Sequence, residues 1–152
     1  VVPGITSAIA GPASAGIPVT MRGHSSGFTV ITGHQDPAAD RAIDWEAAAR
    51  LGTTLVVLMG ATRTAVIAER LLSGGLPHDT PAAAVESATT PHQRVHRTTL
   101  AGMVDLAVHP PAVLVVGAVA GLDVTDSGTT DRGFDDLIAQ LATEHGGARW
   151  PN

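Results

Sequence analysis

At 152 residues, with 44% hydrophobic and 15% charged side chains, the chain is long enough for one domain with a real core and too apolar to be disordered throughout. The absence of cysteine excludes a disulfide framework, a thiolate nucleophile and a cysteine-rich zinc site, and fits a cytoplasmic address. The formal charge is −5 and every cation is an Arg, which argues against a broad nucleic-acid surface and leaves a small molecule as the expected partner.

The chain opens on Val1-Val2-Pro3-Gly4, which reads as an entry in mid-protein. Small residues from Thr6 to Ala15 predict a close-packed helix, with Thr6 or Ser7 as N-cap, Pro12 as an interior flaw and Gly16-Ile17-Pro18 as its end. Phe28 to Thr32 alternates like a half-buried strand. A short helix over Asp44 to Leu51 follows, capped by Asp44 and stopped by Gly52. Thr53 to Met59 is a continuous apolar run, the pattern of a strand covered on both faces. Thr62 to Leu72 places Val66, Ile67, Arg70 and Leu71 three and four apart, a helix that stops at Gly74-Gly75.

Ala82 to Val85 and Gln93 to Thr98 read as strands, Thr99 to Val108 as a helix and Val113 to Val119 as a last buried strand. The Thr89-Thr90-Pro91 turn leaves no room for a crossover helix, so the strands beside it should be antiparallel. The fold class is therefore α/β, a mixed five-stranded sheet with flanking helices. Residues 1–122 form its body, and 123–152 read as a polar linker with a loosely attached helix from Phe134 to Glu144. The longest apolar runs, Thr54 to Met59 and Ala112 to Gly121, fall far short of the roughly 20 residues that span a bilayer, so no membrane segment and no signal peptide are expected.

The sequence carries no GxGxxG, GxxxxGK[ST] or HExxH motif. His92 and His96 lie four apart, but on a segment read as a strand, so the histidines are taken as solvated or hydrogen-bonded and no metal is expected. The informative feature is an ordered set of phrases. It runs Val2-Pro3-Gly4-Ile5-Thr6-Ser7-Ala8, Gly16-Ile17-Pro18-Val19-Thr20-Met21-Arg22-Gly23, Thr32-Gly33-His34 and Asp44-Trp45. It continues through Thr54-Leu55-Val56-Val57-Leu58-Met59-Gly60 and Glu86-Ser87-Ala88-Thr89-Thr90-Pro91-His92-Gln93-Arg94, and closes on Pro111-Ala112 and Val115-Val116-Gly117. Together these resemble the tetrapyrrole methylases and, within them, the uroporphyrinogen-III C-methyltransferases, from Val1 to about Leu122.

The resemblance implies a two-lobed, homodimeric enzyme of the sirohaem and cobalamin branches that methylates a tetrapyrrole with S-adenosylmethionine, giving S-adenosylhomocysteine. This chain would be its C-terminal lobe. Carried over by position, Thr6 and Ser7 would contact the methyl donor, Met59 would line its pocket, and the Ser87-Ala88 backbone would face the adenosine. A thioether suits a flat purine or a sulfonium, and small residues let backbone amides approach a ring edge. Each has a plainer reading too: Thr6 and Ser7 as helix caps, Met59 as strand-end packing. Arg22 could pair with a substrate propionate through its planar fork, or simply face water.

One departure touches the substrate: the family usually writes Thr-His-Arg where this chain has Thr20-Met21-Arg22. The family's Gly-Gly-Asp-Pro loop and its acid–base residues belong to the N-terminal lobe. No catalytic residue is therefore expected here, and the chain by itself is not expected to turn over. Two other readings stand beside this one: a non-catalytic ligand-binding or dimerisation module of the same fold, and the lobe of a later precorrin methyltransferase.

Overall fold

A computed structural model describes residues 1–34 and 43–125. Helix α1 (Ser7–Ser14) begins where the Thr6 hydroxyl accepts the Ala8 N–H at 3.3 Å, and it carries Pro12 within it. Gly16, at φ +69°, turns the chain out of the helix while Ile17 N–H bonds back to the Pro12 carbonyl. Strand β1 (Phe28–Thr32) leads to α2 (Trp45–Ala49), whose Asp44 cap accepts the Ala47 N–H at 2.8 Å. Strand β2 (Thr54–Leu58), a short 3-10 turn over Ala61–Arg63, α3 (Thr64–Ser73), β3 (Pro81–Glu86), β4 (Arg94–Thr99) and β5 (Ala112–Val116) complete the order.

The five strands form one sheet in the order β1-β2-β5-β3-β4. Only β1 and β2 pair in parallel; β2 with β5, β5 with β3 and β3 with β4 are antiparallel, so the sheet is mixed as expected. The pleat sends alternate residues to opposite layers. Leu55, Val57, Ala82, Ala84, Leu114 and Val116 face a core shared with Ala48, Ala49, Ile67, Ala68 and Leu71 of α2 and α3. Val56, Ala83, Val85, Val113 and Val115 face the other, shared with Ala8, Ile17, Val119 and Ala120. Burial on both faces is why β2, β3 and β5 read as unbroken apolar runs.

Two elements depart from the sequence reading. The expected helix from Thr99 to Val108 is absent: Thr99 ends β4, and residues 100–105 form turns and bends. Leu100 N–H bonds to the Thr80 carbonyl and Ala101 N–H to the His78 carbonyl, tying the segment to the preceding loop, and the bonds that follow, Val104 N–H to Ala101 and Leu106 N–H to Met103, span three residues as in turns. Leu100 and Met103 are fully buried, which satisfies the apolar spacing without a helix. Strand β5 stops at Val116 instead of Val119, because Gly117 at φ +136° breaks the extended chain and Ala118–Gly121 winds into a 3-10 turn. Beyond Leu122, Val124 N–H bonds to the Gly16 carbonyl at 2.9 Å and Asp123 pairs with Arg97 at 2.9 Å. The expected helix from Phe134 to Glu144 lies outside the described residues.

Candidate functional site

Because β1, β2 and β3 run the same way and β5 runs against them, the C-terminal ends of three strands meet the N-terminal end of β5 along one sheet edge. Strand carboxyl ends are where open α/β sheets commonly take ligands. Here they border a cavity of about 840 Å³. Its wall includes Met59 just past β2, Ser87 and Ala88 just past β3, Pro110 and Pro111 just before β5, and Ser7 in the first turn of α1. The volume lies within the range of pockets that enclose a drug-sized ligand, about 300–1,000 Å³.

The local backbone explains how these residues become a wall. Met59, Ser87 and Thr89 are the described non-glycine residues with positive φ, at +55°, +46° and +64°. A left-handed non-glycine residue costs about 1–3 kcal/mol, and such residues gather at ligand sites. Met59 swings the chain off β2 and leaves its own side chain 60% exposed at the cavity. Beneath it Gly33 and Gly60 touch: a Cβ on Gly33 would stand 2.8 Å from the Gly60 Cα. After β3 the turn is closed by Thr90, whose N–H and hydroxyl both bond to the Ser87 carbonyl, at 3.2 and 2.7 Å. Among the described residues the Ala88 N–H makes no hydrogen bond, so a polar backbone donor remains available in a mostly apolar wall.

The structure thus brings four of the six singled-out residues, Ser7, Met59, Ser87 and Ala88, to one cavity. Thr6 caps α1 next to it. Arg22 lies in the exposed Met21–Ser25 turn and does not line the cavity.

Glu86 is the last residue of β3. It is 4% exposed, and its Oε1 accepts the His109 backbone N–H at 2.7 Å, with His109 Nδ1 at 3.4 Å and His96 Nε2 at 3.5 Å. The backbone bond from His109 holds its carboxyl below the usual range against the opposing effect of burial, and the two imidazoles help. It fixes the chain immediately before Pro110 and Pro111. A lone carboxylate closing the apolar run Ala82 to Val85 was the available signal.

These features define an α/β unit with a cavity at its strand ends. Residues 1–104 match the family model for Tetrapyrrole (Corrin/Porphyrin) Methylases. The S-adenosyl-L-methionine-dependent uroporphyrinogen III methyltransferase of Methanosarcina barkeri is 50% identical over 127 residues, covering 80% of this chain and 50% of that protein. The uroporphyrin-III C-methyltransferase of Thermus thermophilus, solved with S-adenyl homocysteine, superposes with a TM-score of 0.67 at 36% identity, covering 78% of this chain and 52% of that one. A cobalt precorrin-4 methyltransferase superposes with a TM-score of 0.72 at 22% identity, over 80% of this chain and 52% of that one, a likeness of fold.

The chain belongs to the tetrapyrrole methylases. It spans about half the length of the curated relatives it matches.

Proposed function

We propose that the chain is the C-terminal, S-adenosylmethionine-binding part of a uroporphyrinogen-III C-methyltransferase, which methylates uroporphyrinogen III through precorrin-1 to precorrin-2. The observation that carries this reading is the convergence of Ser7, Met59, Ser87 and Ala88 on one cavity at the strand ends. The relatives supply the chemistry: one is named for S-adenosyl-L-methionine dependence and another was solved with S-adenyl homocysteine.

The fit is physical as well as positional. The exposed thioether of Met59 offers a soft surface to a purine or a sulfonium. The open Ala88 N–H can donate to a ring edge. The first turn of α1 beside Ser7 favours the carboxylate of an amino-acid moiety. When bound, the donor supplies an electrophilic methyl group for in-line displacement by a substrate carbon, which needs no protein nucleophile. This chain's residues hold and orient the donor and keep water from it; the base that takes the substrate proton belongs to the partner lobe.

That N-terminal lobe, and a second copy of the chain, are the proposed partners in the cytoplasm. Ile5 and Ile9, exposed on either side of Ser7, suit a covering surface. Residues 1–122 would form the lobe and 123–152 its polar tail.

Calorimetric titration with S-adenosylhomocysteine tests the reading. Saturable binding by the chain, lost in Met59→Trp, is the expected result. No binding by the unaltered chain would overturn it and favour a non-catalytic module of the same fold.

A further inference from the structure

One side chain ties the two walls of the cavity together from outside it. Gln93, just before β4, accepts the Thr89 N–H at 2.7 Å on its Oε1, and the same oxygen lies 2.7 Å from the Ser14 hydroxyl. Its Nε2 donates to the Ser14 carbonyl at 3.0 Å. The Ser14 hydroxyl also lies 2.8 Å from the Gly11 carbonyl, so its proton is shared between the two acceptors. Neither Gln93 nor Ser14 lines the cavity.

The chemistry suits a carboxamide. Ser14 ends α1, and its carbonyl is one of those a helix terminus leaves without a partner. The Thr89 N–H needs an acceptor. A carboxamide carries a donor and an acceptor side by side in one planar group, and Gln has a longer reach than Asn. The groups it joins are mechanically connected to the site. Thr89 is a β-branched residue at φ +64°, a conformation that relaxes unless something holds it. It follows Ser87 and Ala88 directly. On the other side α1 presses on the wall: a methyl group added at Gly11 would come within 3.1 Å of Val113 Cγ2 and 3.6 Å of Ala88 Cβ.

We propose that Gln93 is a positioning residue for the cavity, clamping the Ser87–Thr90 turn to the C-terminal end of α1 and so fixing the gap between Ser7 and the Ser87-Ala88 backbone. This inference rests on the cavity taking S-adenosylhomocysteine, and it names the device that shapes the cavity for it.

The test uses the chain itself with S-adenosylhomocysteine as probe, in Gln93→Leu, Gln93→Glu and the control Thr29→Val. The control removes the 2.9 Å hydroxyl contact between Thr29 and Thr53, which does not border the cavity. Gln93→Leu removes all three bonds and is expected to weaken binding about tenfold, with a cooperative thermal melt retained. Gln93→Glu keeps the acceptor but sets a carboxylate against the Ser14 carbonyl, and is expected to weaken binding as well. Amide exchange at Thr89 should quicken in both. Parental affinity in Gln93→Leu would overturn the proposal, as would an equal loss in Thr29→Val. If the parent chain binds no S-adenosylhomocysteine, the functional reading fails. The clamp then stands or falls on Thr89 exchange, and unchanged exchange in Gln93→Leu overturns it.

Discussion

The middle of the sheet and its carboxyl edge follow different rules. In the middle, Val56, Val57, Ala83, Ala84, Leu114 and Val115 are fully buried in regular pairing, and each side chain has a layer to fill. At the edge, one residue past β2 and β3, the backbone enters left-handed conformations at Met59 and Ser87, and a large apolar side chain stays exposed. The middle is built for stability. The edge gives some of that up to shape a cavity, so substitutions in the two regions should move stability and ligand affinity independently.

The largest expected effect belongs to the core. Leu71→Ala empties a fully buried site between α3 and the sheet and should cost about 3 kcal/mol by chemical denaturation. Gly33→Ala should cost about 2 kcal/mol, because the new methyl group would meet backbone at Gly60 Cα, 2.8 Å away, as well as Val57 and Ile67.

Glu86→Gln should cost about 1 kcal/mol at neutral pH, since it keeps an acceptor for His109 but loses the charge. The folded carboxyl titrates lower than the unfolded one. Its contribution is therefore complete above about pH 4.3 and lost as pH falls through the folded value. The gap between the parent and Glu86→Gln should close over that acid window in melts run from pH 7 to 3.

Thr89→Gly should change sign. Removing a β-branched residue from φ +64° should raise stability by about 0.5–1 kcal/mol while weakening S-adenosylhomocysteine binding, because the freed turn must be ordered again. Met59→Ala should alter stability by less than about 0.5 kcal/mol, its side chain being 60% exposed, yet lower ligand affinity measurably. Loss of several kcal/mol in Met59→Ala would erase the distinction between edge and middle.

The regular interior was largely legible in the sequence. Phe28 to Thr32 alternates and forms β1 at those bounds; Asp44 and Gly52 frame α2; the short Thr89-Thr90-Pro91 turn required the antiparallel β3–β4 pair. Local signals failed where tertiary partners decide. Leu100 and Met103 have helical spacing, but their segment is tied to the Thr80 and His78 carbonyls and continues in three-residue turns, with both side chains buried. Of the site, Ser7, Met59, Ser87 and Ala88 could be named because the phrases around them match a family pattern, and their convergence needed the fold. Glu86 and Gln93 carry no pattern of their own. Their importance lies in bonds to His109, Ser14 and Thr89, of which only Thr89 is near either in sequence.

The most direct test of the central claim is a nitrogen–proton correlation spectrum of the labelled chain with and without S-adenosylhomocysteine. Saturable shifts at Ser7, Met59, Ser87 and Ala88, with Leu71 and Ala68 on the opposite face unmoved, are the predicted result. Shifts confined to other surfaces, or none at millimolar ligand, would contradict the assignment of this strand-end cavity as the methyl-donor site.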